Sequence, residues 1–422
     1  MAFSQGVSGL SAAASNLDVI GNNIANSATV GFKSGSVQFS DLYAGSKIGL
    51  GTRVSGVMQN FSAGAMQTST RPLDVAITNG DGFFRVRGPS GEVGFTRNGQ
   101  FNMDKDGYIV NAAGMQLTGY QASSNGLVVP GTPSALQLPP SAMAPNPTSG
   151  VKAQFNLDSR SAQIPATPAF DANKSATYNY ANSVTVFDSL GSSHELSTFF
   201  AKTAANTWSV YATADGYPLT ATGAMAAPPT AAGPPAVVNS AALTSGALTF
   251  SSSGAFLGTS PVSFAGLDFA NGSKPLNFSV DLNGTTQFGS ANDVKKLSQD
   301  GFTAGQLASF AIGQDGTISG KYSNEQSKTL GQIVLASFAN PNGLQYKGDN
   351  IYAEATASGQ PTTASPGSGA KVGSLTSGVV EASNVDLTAE LVNLIIAQRA
   401  YQANAQTIKT QDQVSQTLIN LR

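Results

Sequence analysis

Few residues in this chain have the types and spacing to do chemistry. Asn102-Met103-Asp104-Lys105-Asp106-Gly107 places oxygen donors at alternate positions with Gly sixth, the first half of a calcium-binding loop. The twelfth position, where such a loop closes with a bidentate Glu, is Ala113, so the residues read as an Asp-Gly β-turn between Phe101 and Tyr108. His194 is the single histidine, which excludes metal clusters and proton relays that need two imidazoles. Flanked by Ser193 and Glu195 after a Gly191 turn, it is expected at an exposed strand edge. A Ser–His–acid triad stays open on residue types alone, but no Gly-x-Ser-x-Gly nucleophile elbow supports one. Gly45, Gly49 and Gly51 imitate a phosphate-binding glycine loop without its strand-to-helix setting or its Lys-Ser/Thr, and read as a flexible turn. Cys is absent, which removes disulfides, thiol nucleophiles and cysteine-bound metals. Carboxylates are scattered, and no acid–base pair stands out. No catalytic residue, metal site or cofactor is expected.

Those residues sit on a chain that reads as turns and short strands between two helices. Leu73, Val75 and Ile77 alternate with polar residues, and Asn79-Gly80-Asp81-Gly82 turns into Phe83 to Arg87. Pro89-Ser90-Gly91, Asn98-Gly99 and Asp106-Gly107 punctuate further strands, a series of hairpin signals. Strands are also expected at Val184 to Phe187, Glu195 to Phe200, Trp208 to Tyr211, Ile318 to Tyr322 and Gln332 to Phe338. An Ala/Pro/Gly/Thr stretch over 218–246 reads as a surface excursion.

The ends differ. Phe3, Val7, Leu10, Ala14, Leu17, Gly21 and Ile24 step alternately by four and three. Leu387, Leu391, Leu394, Gln398, Tyr401, Ala405 and Ile408 repeat that pattern, and Val414, Leu418 and Leu421 carry an apolar stripe to the last residue. Such spacing marks helices that pack along other helices. The first is expected over about Ser4 to Asn26, stopped by Asn26, Ser27 and Gly31. Asn384 or Asp386 would cap the last, with Asp386 and Glu390 suiting its N-terminal dipole. A final helix of about 35 residues would span roughly 50 Å, more than a compact domain covers. Val392, Ile395, Ile396, Val414 and Ile419 lie off its main stripe, and that second face predicts side-by-side packing of many copies.

The expected fold is a mainly β body of two nested β domains, with long α-helices at both termini pairing as a coiled-coil-like core. The helical polymerisation domain takes residues 1–26 and 375–422, and an extended arm or linker takes 27–72 and 358–374. An inner β domain takes 73–145 and 285–357, with an inserted outer β domain at 146–284. Nesting brings both helices to one end.

Charged residues make up 11%, less than half the usual ~25%, and the net charge is −2, so no nucleic-acid partner is expected. No apolar run approaches the ~20 residues of a spanning helix, so no membrane insertion is expected either. The first basic residue is Lys33 and the only earlier charge is Asp18, which does not make a secretory n-region. The chain is expected to stay in the cytoplasm or to leave by a route that cleaves no signal peptide.

Both ends resemble the axial proteins, rod and hook, of the bacterial flagellum. At the start the signature runs Ser8-Gly9-Leu10, Leu17-Asp18-Val19-Ile20-Gly21-Asn22-Asn23-Ile24-Ala25-Asn26 and Thr29-x-Gly31-Phe32-Lys33. At the end it runs Glu381-Ala382-Ser383-Asn384-Val385-Asp386-Leu387, Glu390-Leu391-Val392 and Gln398-Arg399-Ala400-Tyr401-Gln402-Ala403-Asn404. Leu73-Asp74-Val75-Ala76-Ile77, Gly82-Phe83-Phe84, Thr96-Arg97-Asn98-Gly99-Gln100-Phe101 and Tyr322-Ser323-Asn324-Glu325-Gln326 resemble the inner domain of the hook members. The distal rod members are shorter and lack so large an insertion. The resemblance covers roughly 1–120 and 300–422 and is weak over 146–284.

The resemblance implies a structural subunit of an extracellular, curved, tubular homopolymer. That polymer would act as a flexible universal joint carrying torque from rod to filament. It implies a polymerisation seam on Val7, Leu10, Leu17, Ile24, Leu387, Leu391, Leu394, Tyr401, Ile408 and Leu418. It also implies family roles for Asn22, Asn23, Asn26, Gly31, Phe32, Gln398, Arg399 and Tyr401. Implied partners are further copies, the distal rod protein, the hook cap protein, the hook–filament junction proteins and the flagellar type III export apparatus. A rod or hook-associated axial protein is the alternative, and a secreted β-rich enzyme or adhesin the distant one.

Overall fold

A computed structural model describes residues 2–42, 51–139, 142–227, 229, 240–243, 247–258, 260–369 and 371–420. Gly45, Gly49, Leu421 and much of the 218–246 excursion lie outside the described residues. The rest is mostly β, with a helix near each end: α1, Ala2–Ala25, and α2, Leu387–Asn420. No helix among the described residues is long and apolar enough to cross a membrane. Two compact units emerge, Met1–Pro140 with Ala308–Lys321 and Ser327–Arg422, and Ser141–Leu307 with Tyr322–Gln326.

In the first unit the outgoing and returning chains are zipped together. Met66–Thr68 pairs antiparallel with Val379–Glu381, and Val75–Thr78 with Ser374–Ser377. That pairing is what brings α1 and α2 to the same place. Phe83–Arg87 pairs with Val93–Thr96 and Gln116–Gln121, and the returning Leu335–Ser337 joins it at Phe83 and Phe84. Phe83, Phe95, Ala336 and Tyr352 form a core, with Phe61 and Phe338 meeting its rings edge-on. The alternating arm becomes a hairpin, Gly35–Asp41 against Thr52–Gln59. Asp104 Oδ1 accepts the backbone N–H groups of Asp106 and Tyr108 at 2.9 and 2.7 Å, so this carboxylate closes the Asp-Gly turn.

Among its described residues the second unit packs two five-stranded sheets. Gly150–Asp158 lies in one and Ser193–Ala204 and Thr207–Ala214 in the other; Phe155, Phe200, Trp208, Phe264 and Leu267 fill the space between them. The sequence places residues 285–307 with the inner domain. In the structure Asp293–Gln299 pairs antiparallel with Gly150–Asp158, and Val294 and Leu297 pack on this core, so the second unit extends to Leu307.

Candidate functional site

The termini form the site. α1 and α2 run antiparallel, with Gly6 against Ile408, Gly9 against Asn404, and Asn23 Nδ2 donating to Glu390 Oε1 at 3.1 Å. A β-carbon on Gly6 would stand 3.0 Å from Ile408 Cγ1, and one on Gly9 2.8 Å from Asn404 Oδ1. Missing side chains therefore set how closely the helices approach. Ala13, Ile20 and Asn23 of α1 and Ala397 of α2 are buried.

This contact row is not the stripe read from the spacing. It runs through residues 6, 9, 13, 20 and 23 of α1, one residue short of the stripe at 7, 10, 14 and 24, which is a rotation of about 100°. Large side chains cannot enter where Gly and Ala set the distance, so they flank it. Val7 is 44% exposed, while Leu10, Leu17 and Ile24 are half-buried. On α2, Leu394 and Ile408 turn toward the half-buried side, whereas Leu387 and Leu391 stay exposed at 46% and 45%. Tyr401, Gln398 and Arg399 are exposed, and Leu418 lies in the last turns. Val392, Ile395 and Ile396 are more than half exposed. Because α2 has 34 residues and α1 24, its end runs past its partner, and Val414 and Ile419 are open to solvent.

A clasp fixes this pair to the β structure. Asp386 Oδ1 caps α2 by accepting the N–H groups of Thr388 and Ala389 at 2.9 and 3.1 Å. Asn384 instead accepts the Ser34 N–H at 2.8 Å and donates to Asn60 O at 2.7 Å. Asn23 both donates to Gly35 O and accepts its N–H, holding the hairpin to α1. Asn26 donates to Asn22 Oδ1 at 2.6 Å and accepts from Thr29 Oγ1, closing the helix end. Gly31 donates to Glu381 O at 2.7 Å with φ +73°, and a β-carbon there would collide with Asn98 N at 2.6 Å. Phe32 beside it is buried.

At the centre is a buried charge cluster. Lys33 Nζ lies 2.6 Å from Glu381 Oε1 and donates to Ser62 O at 2.6 Å, and Arg97 Nη1 lies 3.5 Å from Glu381 Oε2. Gly64 N–H adds a third contact to the carboxylate at 2.9 Å. Burial pulls Lys33 and Arg97 below their ordinary pKa values while Glu381 pulls both upward. Reading from spacing misses this trio. Its only sequence signal is that the first basic residue follows Gly31-Phe32 and that a Glu opens the C-terminal motif.

In the second unit, His194 is buried, not exposed as expected. Its Nδ1 lies 2.7 Å from Asp215 Oδ2 and its Nε2 3.2 Å from Asp188 Oδ2, so neither nitrogen faces a serine. That geometry gives no nucleophilic triad.

Four family profiles match in order along the chain: "Flagella basal body rod protein" over 4–33, "Flagellar hook protein FlgE/F/G D1 domain" over 76–159, "Flagellar basal body protein FlaE D2 domain" over 156–302, and "Flagellar basal body rod FlgEFG protein C-terminal" over 376–421. The flagellar hook protein FlgE of Escherichia coli K12 is 45% identical, with all of both chains covered. That of Treponema pallidum is 32% identical over 99% of this chain and 98% of its own. A crystal structure of Helicobacter pylori flagellar hook protein FlgE2 shares the fold at TM-score 0.53, with 15% identity, covering 73% of this chain and 98% of its own. With the rod-type signature at each end, a hook-type domain between, and 45% identity along the full length, this chain belongs to the flagellar hook protein FlgE family.

Proposed function

We infer that the chain is the repeating subunit of the bacterial flagellar hook, and that sister copies cover the apolar helix faces a single copy leaves open. The observation that carries this is the row Leu391, Val392, Ile395 and Ile396 on α2, left exposed near the capped end of the pair, with Phe3 and Val7 of α1 exposed toward its other end. At about 25 cal/mol per Å² of apolar surface, burying such a row in every copy favours a continuous helical core. Val7, Leu10, Leu17, Ile24, Leu387, Leu391, Leu394, Tyr401, Ile408 and Leu418 then divide between a coiled-coil-like pairing within the subunit and packing between subunits. Asn22, Asn23, Asn26, Gly31 and Phe32 hold the first helix to the body. Gln398 and Arg399 face neighbouring copies.

Residues 1–26 and 375–422 act as the polymerisation domain, joined by the arm of 27–72 and 358–374. The β units give the tube its wall and let it bend as a universal joint, since their weakly charged surfaces shift against neighbours at low cost. The role is structural rather than catalytic. The tube lies outside the cell, between the distal rod protein and the hook–filament junction proteins, and grows beneath the hook cap protein. Subunits arrive through the flagellar type III export apparatus. Supporting this, Lys33 and Glu381 are 348 residues apart, so the clasp closes only when nearly the whole chain is present. Electron microscopy after salt-induced assembly tests the proposal: Ile395→Asp is expected to give no tubes, and normal curved tubes from that variant would refute it.

A further inference from the structure

We propose that His194, clamped between Asp188 and Asp215, is an alkaline-sensitive latch that holds the turns of the second unit together only while its ring carries a proton. Every hydrogen-bonding atom of the clamp is occupied. His194 is 8% exposed and its ring stacks on Phe269, with centroids 3.4 Å apart and planes 12° from parallel. Both ring nitrogens meet carboxylate oxygens, at 2.7 Å on Asp215 and 3.2 Å on Asp188. The remaining carboxylate oxygens are taken by backbone donors: Leu190 and Ser192 N–H on Asp188 Oδ1 at 2.8 and 2.9 Å, and Glu195 N–H on Asp215 Oδ1 at 2.8 Å. Asn271 Nδ2 adds a bond to Asp188 Oδ2 at 2.6 Å.

An imidazolium has two N–H donors and satisfies both carboxylates. A neutral imidazole has one, so its other nitrogen would turn a lone pair toward a buried or half-buried carboxylate. The charged groups facing the ring are Asp188, from the turn after Tyr180–Phe187, and Asp215, from the turn after Thr207–Ala214. The segment carrying Phe269 and Asn271 presents an aromatic ring and an amide. Of the two bonds that tie the ring to these turns, one therefore depends on a single proton.

Burial works against the charged ring, but hydrogen bonds and charges of the two aspartates outweigh it and raise the His194 pKa above 6.5. A raised folded-state value stabilises the fold fully below the unfolded value and loses that contribution as pH climbs through the folded value. Burial likewise opposes Asp188 and Asp215, and their donors overcome it and hold both carboxyls below the usual range. Their contribution is present above the ordinary carboxylate range and is lost as pH falls below it. The latch thus opens on the alkaline side.

The chain has one histidine and one tryptophan, and Trp208 is fully buried in the second unit's core, so each reports on a single place. Proton NMR of the His194 ring in the dispersed full-length chain is expected to titrate above 6.5, and Asp215→Asn to lower the midpoint by about one unit, a tenfold change. Urea unfolding read by Trp208 fluorescence is expected to need less urea at about pH 10 than at about pH 6, and His194→Gln to remove that difference. A wild-type ring titrating at or below 6.5, or an equal Trp208 midpoint at both pH values, would overturn the latch. If His194→Gln fails to fold, the wild-type titration decides alone.

Discussion

Glu381 carries more of the terminal structure than its single charge suggests. It is 1% exposed and faces Lys33 and Arg97, both also buried. Replacing it by Gln leaves the buried Lys33 without a counter-ion and Arg97 with only the exposed Asp81 at 4.0 Å, a loss of about 3–5 kcal/mol for a buried pair broken on one side. Glu381→Gln is therefore expected to shift urea unfolding of the first unit and to expose the arm near Ser62 to protease; an unchanged midpoint would show that the cluster is not the clasp. Gly9→Leu tests the helix approach, where overpacking costs about 1–3 kcal/mol. Circular dichroism of the dispersed chain is expected to lose helix, and an undiminished signal would mean that the pair does not depend on Gly9. At this scale the sequence was legible where one residue fixes one turn, as at Asp104 or Asp386. His194 was misplaced because its partners lie in other turns, which spacing along one strand does not reveal.

The helices themselves were legible because apolar residues recur every three or four positions whatever lies against them. Periodicity gives the existence of a face, not its occupant. The close contact fell on Gly6, Gly9 and Ala13, since small residues admit a neighbouring backbone and large ones do not. The large residues were displaced to the flanks, where Val7, Leu391 and Ile395 remain exposed. Leu391→Asp should alter the stability of a dispersed subunit by no more than about 0.5 kcal/mol, as for other surface changes. It should nevertheless prevent pelleting of assembled tubes. Leu17→Asp and Leu394→Asp, on half-buried positions, are expected to block assembly too, with Trp208 still buried by fluorescence. Tube formation by all three would place the intermolecular surface elsewhere.

For the whole molecule, the nested order was legible from matching ends and from the composition change near residue 146, but its far boundary was not. Residues 285–307 look like neighbouring strands; only the pairing of Thr286–Phe288 and Asp293–Gln299 with Gly150–Asp158 assigns them to the second unit. A deletion of 146–284 would strand that segment, so a cleaner cut removes 142–306. Such a chain is expected to polymerise through its helices while losing the curvature of the intact tube, as judged by electron microscopy. The central claim is that the outward faces of α1 and α2 are buried by sister copies and not by the subunit's own body. Amide hydrogen exchange over Leu387–Asn420, in dispersed chains and in salt-induced tubes, tests it most directly. Rapid exchange when dispersed and strong protection in tubes is the predicted result; equal protection in both states would contradict it.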